Sequence, residues 1–134
     1  MDITPYNGIS STKTMQTHSI TLGMNIGSEG RVTNQMWLQF LTDEICSMLD
    51  YATITDAIGI YKGTVENSKI ISVTVDERTT RGNSIIESLQ EVGQTYKKQF
   101  RQEAILYTCT EDGQNLQLEL FRMYGPTVGN TING

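Results

Sequence analysis

The stretch Thr33-Asn34-Gln35-Met36-Trp37-Leu38-Gln39-Phe40-Leu41-Thr42-Asp43-Glu44-Ile45-Cys46-Ser47-Met48-Leu49 decides the fold. Trp37, Phe40, Leu41, Ile45, Met48 and Leu49 recur at spacings of three and four, which draws a wide apolar stripe along one side of a helix. Thr33 is a good N-cap, because its hydroxyl can take one of the unpaired amides of the first turn. Gln39, Asp43 and Glu44 can sit towards the polar side. A helix with one apolar side must bury it against a second layer, and the flanking sequence supplies strands.

Upstream, Gln16, His18, Ile20, Leu22 and Met24 alternate with Met15, Thr17, Ser19 and Thr21, the period of a β-strand. Three glycines in Gly23-Met24-Asn25-Ile26-Gly27-Ser28-Glu29-Gly30 mark the turn from that strand to the helix. Downstream, Ala52 to Tyr61 reads as a strand, and Gly59 within it suggests a bulge or close backbone approach. Lys62-Gly63-Thr64 opens a turn, and the β-branched run Ile70 to Val75 is the next strand. After a polar linker from Asp76 to Gly82, Asn83 is read as the cap of a second helix. Ile85, Ile86, Leu89, Val92, Tyr96 and Phe100 form its apolar side, and Lys97, Lys98 and Arg101 suit its negative end. Gly93 within it suggests close contact with the sheet. Ala104 to Thr110 follows as a strand, turned back at Glu111-Asp112-Gly113-Gln114 into a last strand bearing Leu116, Leu118 and Leu120.

The order β-α-β-β-α-β-β predicts an α+β fold: a ferredoxin-like split β-α-β with an antiparallel sheet and two helices on one face. The predicted limits are a flexible arm over 1–12, a single α+β domain over 13–124 and a flexible tail over 125–134. Such a sheet leaves one face without helices, to be solvated, closed over a ligand or packed on another subunit. Alternating leucines on the last strand favour a homo-oligomer; the plainer alternative is that they complete the monomer core.

Composition narrows function. With 134 residues, 37% hydrophobic and 19% charged, the chain suits one domain and is not a disordered composition. A formal charge of −5 argues against binding a nucleic-acid polymer, which needs lysines and arginines along the phosphates. No apolar run approaches the length of a membrane span. Met1-Asp2-Ile3-Thr4-Pro5-Tyr6 lacks the positive charge and apolar core of a signal peptide, so a cytoplasmic protein is expected. One histidine and two distant cysteines, Cys46 and Cys109, fall short of a standard zinc site, and no cofactor or metal is expected.

Three segments carry a resemblance. Gly30-Arg31-Val32-Thr33-Asn34-Gln35-Met36-Trp37-Leu38-Gln39-Phe40, Ala57-Ile58-Gly59-Ile60-Tyr61 and Tyr96-Lys97-Lys98-Gln99-Phe100-Arg101-Gln102-Glu103-Ala104-Ile105-Leu106 resemble a family of small α+β domains. That family occurs in exported bacterial proteins and phage-borne relatives and has no settled function. The likeness covers roughly residues 19–109. It implies the α+β fold and a phage-encoded protein in the host cytoplasm, and no mechanism. Against the bacterial members, this sequence is expected to lack an export signal and to add a last strand and a polar tail.

Two loops are candidate contacts for an anionic ligand. The first places Asn25, Gly27, Gly30 and Arg31 before a helix start, where backbone amides and the helix dipole favour negative charge. The second places Arg78 and Arg81 before the second helix. The two loops are expected at the same end of the sheet. The plain alternatives are an ordinary strand-to-helix connection and solvated loop charges. His18 has no sequence-evident catalytic partner, and two-histidine phosphoesterases are excluded; a satisfied strand histidine is expected. Trp37, Phe40, Tyr96 and Phe100 read as core, and Gln102 and Glu103 as structural.

The resulting expectation is a non-enzymatic protein that sequesters a nucleotide-type immune signal, such as a cyclic nucleotide or ADP-ribose derivative. The alternatives are an acidic inhibitor of a host defence protein and a cofactor-free α+β barrel enzyme working on the open sheet face.

Overall fold

Nine residues of unbroken alternation, with Gln16, His18, Ile20 and Leu22 buried, make β1 (Met15–Gly23) the central strand of the sheet. A computed structural model of the chain describes residues 15–28, 30–111 and 122–124. The predicted arm and tail, the 112–114 portion of the predicted turn and the strand with Leu116, Leu118 and Leu120 lie outside the described residues.

After β1 come two short strands, β2 (Asn25–Ile26) and β3 (Gly30–Arg31), paired as a miniature hairpin. A helical run follows as α1 (Asn34–Phe40), a π-helical turn (Leu41–Ile45) and α2 (Cys46–Met48). Next are β4 (Thr53–Tyr61), β5 (Thr64–Asp76), α3 (Thr80–Gln99), β6 (Ile105–Glu111) and β7 (Arg122–Tyr124). The main sheet has the order β4-β5-β1-β6-β7 and every pairing in it is antiparallel. Without β7 and the small hairpin, this is the strand order of the ferredoxin-like split β-α-β, so the predicted α+β class is the observed one.

The first helix starts where its sequence says. Thr33 is extended, and its hydroxyl accepts from the Met36 amide at 3.1 Å. Its middle departs from α geometry. Phe40 and Ile45 are five residues apart and both buried, and the π turn between them holds both on the core side.

The β4–β5 hairpin turns on Lys62 (φ 54°) and Gly63 (φ 77°), two left-handed residues that match the twist of the strands they join. From there the ladder runs without a break from Tyr61↔Thr64 to Thr53↔Ser72, so the bulge suggested by Gly59 is absent. β5 begins six residues before its predicted start at Ile70, because cross-strand pairing carries the polar segment Glu66-Asn67-Ser68 into the ladder.

The second helix is capped earlier than predicted. Thr79, not Asn83, is its N-cap, and the Thr79 hydroxyl accepts from the Gly82 amide at 2.8 Å. The Asn83 side chain instead donates to the carbonyls of Glu77 and Thr79. Gly82 is required by crowding: a Cβ there would lie 2.1 Å from the Asp76 carbonyl oxygen. Gly93 does face the sheet, with Ile20 and Ile105 at van der Waals distance from where a Cβ would stand.

Both helices cover the same sheet face. Ile20, Leu22, Ile71, Val73, Val75, Ile105 and Tyr107 meet Leu89, Val92, Tyr96 and Phe100 of the α3 layer and Trp37 and Phe40 of α1. The opposite face is paved with hydroxyls, among them Thr17 against Thr74 and Ser19 against Ser72, each pair at 2.8 Å. No described helix is long and apolar enough to cross a membrane.

Substituting Gly82→Ala should destabilise the protein by about 1–3 kcal/mol, because the Asp76 carbonyl and the α3 start must move apart. Urea unfolding of the variant checks this, and an unchanged midpoint would contradict the crowding.

Candidate functional site

The β2–β3 hairpin, the start of α1 and the projecting half of the β4–β5 ribbon enclose a groove of about 690 Å³. Its size suits a small organic ligand. The ribbon wall follows from the two-residue turn: once Tyr61 pairs with Thr64, Asp56 must pair with Lys69 and Ile58 with Asn67. Asp56 and Lys69 form an ion pair at 2.6 Å, and the Lys69 ammonium lies over the Trp37 ring, 5.3 Å from its centroid. The opposite wall carries Asn25 and Arg31, partners across the small hairpin.

Glu66 closes one end. Its carboxylate accepts from the Asn25 amide at 3.0 Å and fills the space that a side chain on Gly23 would need. The carbonyl of Asn25 accepts from the Gln102 side chain at 2.7 Å, so Gln102 is structural, as its sequence position suggested. The groove therefore mixes two cations, Arg31 and Lys69, with two carboxylates, Asp56 and Glu66, and an indole edge. The Asn25 amide is held by a carboxylate of the protein, Glu66.

The six residues singled out from sequence fall into two groups. Asn25, Gly27, Gly30 and Arg31 belong to the small hairpin, with Gly27 at φ 60° in its turn. Arg78 and Arg81 stand at the other end of the sheet. The expectation that the two loops share an end is wrong, because β1 and β5 run antiparallel. Gly23, the last residue of β1, pairs with Ser68, whereas the last residue of β5, Asp76, pairs with Met15. At strand rise those ends are about 27 Å apart. Arg78 is bound to Asp76 at 3.3 Å and Arg81 to Asp50 at 3.7 Å, both exposed. Asp56, Glu66 and Lys69 were missed by the sequence reading; a two-residue reading of Lys62-Gly63 would have given the Asp56–Lys69 pair.

The tip of the ribbon is tied down. Lys62 bonds Glu103 at 2.9 Å, and the Tyr61 hydroxyl donates to the same carboxylate at 3.2 Å. The ribbon exposes Ile58, Ile60 and Val65, at 73%, 76% and 66% of their surfaces; Ile58 and Val65 also line the groove, and Ile60 lies beyond it.

With this geometry in hand, the relationships of the chain are informative. The chain belongs to the DUF3574 family. The model of that family, proteins of unknown function, matches residues 17–114. No curated protein sequence matches the chain. Two solved structures share its fold. One is a phage SAM lyase in complex with S-methyl-5'-thioadenosine, 18% identical, with a TM-score of 0.57 over 84% of this chain and 89% of that one. The other is a phage SAM lyase in its apo state, 22% identical, with a TM-score of 0.55 over 81% of this chain and 91% of that one. At these identities the likeness is one of fold. Both structures are of a lyase, and that overturns the expectation of a non-enzymatic protein that sequesters a nucleotide signal.

The Lys62–Glu103 contact should leave a pH signature. Its hydrogen bond holds the Glu103 carboxyl below, and the Lys62 ammonium above, their ordinary values. The contact therefore stabilises between those limits, is lost as pH falls through the lowered Glu103 value, and is lost again as pH rises through the raised Lys62 value. Both groups are exposed, so the effect is small and weakens with salt. Unfolding curves of the wild type and Glu103→Gln should differ near neutral pH and converge at acid pH; a constant difference would contradict the contact.

Proposed function

We propose that this protein is a lyase of sulfonium nucleosides, acting on S-adenosylmethionine in the groove beside α1 and releasing S-methyl-5'-thioadenosine. The fold likeness to a SAM lyase supports the reaction class. The observation that carries the assignment to this groove is its lining, charges of both signs (Arg31 and Lys69 with Asp56 and Glu66) beside apolar and amide side chains in a space of about 690 Å³, which suits a substrate that itself carries an ammonium, a sulfonium and a carboxylate.

The chemistry asks little acid–base work of the protein. The bond between the sulfonium sulfur and the aminobutyrate chain breaks, and its electron pair stays on sulfur as a neutral thioether. The carbon is taken by the substrate's own carboxylate, closing a lactone, so no external base is required. A cationic sulfur losing its charge in the transition state is favoured by removal from water, and Met24, Ile58 and Val65 provide apolar wall. Asp56 and Glu66 attract the ammonium and sulfonium charges of the substrate. Asn25, Asn34 and Asn67 offer paired donors and acceptors to the nucleoside. Such a mechanism leaves the only histidine free for another role.

The expected homo-oligomer has a candidate surface in Ile58, Ile60 and Val65, an apolar strip of the kind that packs against a second chain. Sedimentation of the wild type and of Ile60→Lys tests it. A larger species that dissociates in the variant is expected, and two identical monomers would remove the idea.

Incubation with S-adenosylmethionine, followed by chromatography for S-methyl-5'-thioadenosine, tests the activity. Asp56→Asn should lower kcat/KM about 10- to 100-fold, the loss of one charged hydrogen bond. Arg81→Ala, at the far end of the sheet, should leave it unchanged. Thioether formation no faster than spontaneous decay would sink the proposal, and equal losses in both variants would sink the groove as its site.

A further inference from the structure

A second cluster lies under the start of α3, at the other end of β1 from the groove. His18 of β1, Cys109 of β6 and Glu77 from the β5–α3 junction bring one donor atom each within 4.8 Å of one another. The three elements are placed by the sheet: His18 pairs with Val73 of β5 and with Cys109 of β6, and β5 delivers Glu77 just past its end. The Glu77 backbone is held by Gln16, whose side-chain oxygen accepts the Glu77 amide at 3.1 Å.

His18 Nε2 is 2.8 Å from Glu77 Oε2 and 3.5 Å from Cys109 Sγ, and that sulfur is 3.9 Å from the same carboxylate oxygen. The imidazole nitrogen and the thiol both bond the same carboxylate oxygen, so a nitrogen, a sulfur and an oxygen donor of the kinds a zinc-class ion takes converge on one point. Tetrahedral zinc with one sulfur, one nitrogen and one oxygen ligand requires donor separations of about 3.3–3.6 Å. The two sulfur distances lie within a few tenths of an ångström of that range, and the nitrogen–oxygen contact needs to open by about half an ångström.

The other imidazole nitrogen is also provided for. His18 Nδ1 is hydrogen-bonded to the Tyr107 hydroxyl, and His18 and Tyr107 are both buried. The hydroxyl can take an Nδ1–H when an ion occupies Nε2, the usual outer support of a metal-bound histidine. The Glu77 side chain is 40% exposed, which leaves solvent access to a fourth position.

We propose that His18, Glu77 and Cys109 bind a thiophilic divalent cation of the zinc class, with Tyr107 as the positioning residue of His18. Binding deprotonates the Cys109 thiol, and the proton goes to solvent. The site cross-links β1, β6 and the start of α3. A thiolate and an imidazole favour zinc or cobalt over magnesium or calcium. The sequence reading counted one histidine and two distant cysteines as too few, and did not foresee a carboxylate brought from the end of β5.

Titration of the chelator-treated, full-length protein with cobalt(II) tests the site. A thiolate-to-cobalt charge-transfer band in the near ultraviolet should saturate at one ion per chain. Cys46→Ser should leave that band intact, whereas Cys109→Ser should abolish it. Glu77→Gln, a partly exposed position that spares the core, should weaken binding about 10-fold or more, and Tyr107→Phe about 10- to 100-fold while keeping the band at saturation. No charge-transfer band in the wild type, or one that survives Cys109→Ser, would overturn the proposal, as would unchanged affinity in Glu77→Gln.

Discussion

Tyr96 holds the two layers together and sets the position of much else. Its ring lies 5.2 Å from Phe40 of α1 in an edge-to-face contact and 4.8 Å from Phe100 just beyond α3. Trp37 completes the quartet at 6.5 Å, again edge-on. Such geometry adds specificity to the burial of four large side chains, because the aromatic quadrupoles select the relative angle of the helices. The Tyr96 hydroxyl donates to the Gly23 carbonyl at 2.6 Å, and burial raises its pKa further out of reach. A buried hydroxyl so paired costs little, while one left unpaired would cost most of the desolvation of the group. The bond fixes the end of β1, from which the small hairpin departs, and so fixes the groove wall that carries Asn25 and Arg31.

The sequence showed the layers clearly and the junctions poorly. Alternation in β1 and the stripe from Trp37 to Leu49 are burial patterns, and burial is what the two layers are made of. Junctions depend on local competition between similar residues. Thr79 and Asn83 are both competent caps; Thr79 is held in place by its amide and hydroxyl, which both bond the Asp76 carbonyl while the hydroxyl takes the Gly82 amide. The π turn is similar: spacings of four and five both appear among Phe40, Leu41, Ile45 and Leu49, and packing of Phe40 against Tyr96 and Phe100 selects between them.

The error over the two loops has a simpler origin. In a split β-α-β the strands that precede the helices are neighbours and antiparallel, so their exits are at opposite ends. The predicted topology already contains that direction, which puts Arg31 and Arg81 at opposite ends of the sheet. The groove was illegible for another reason. Asp56, Glu66 and Lys69 are single charges in polar strand segments, and they become a site only through the register that Lys62 and Gly63 impose.

β1 then reads as an axis with different chemistry along its length. Its buried side begins polar, at Gln16 and His18, and becomes apolar at Ile20 and Leu22 before the chain turns at the groove. Buried polar residues at one end of a core strand are tolerable only if each finds partners. Here Gln16 takes the Glu77 amide, and the two nitrogens of His18 face Tyr107 and the Glu77–Cys109 pair. The apolar middle separates that network from the groove by about 17 Å of strand between His18 and Gly23. Each end can therefore vary in chemistry without disturbing the other, since the buried side chains between them, Ile20 and Leu22, serve packing. A fold whose central strand is divided in this way can keep one end for a ligand and the other for holding β1, β6 and the start of α3 together.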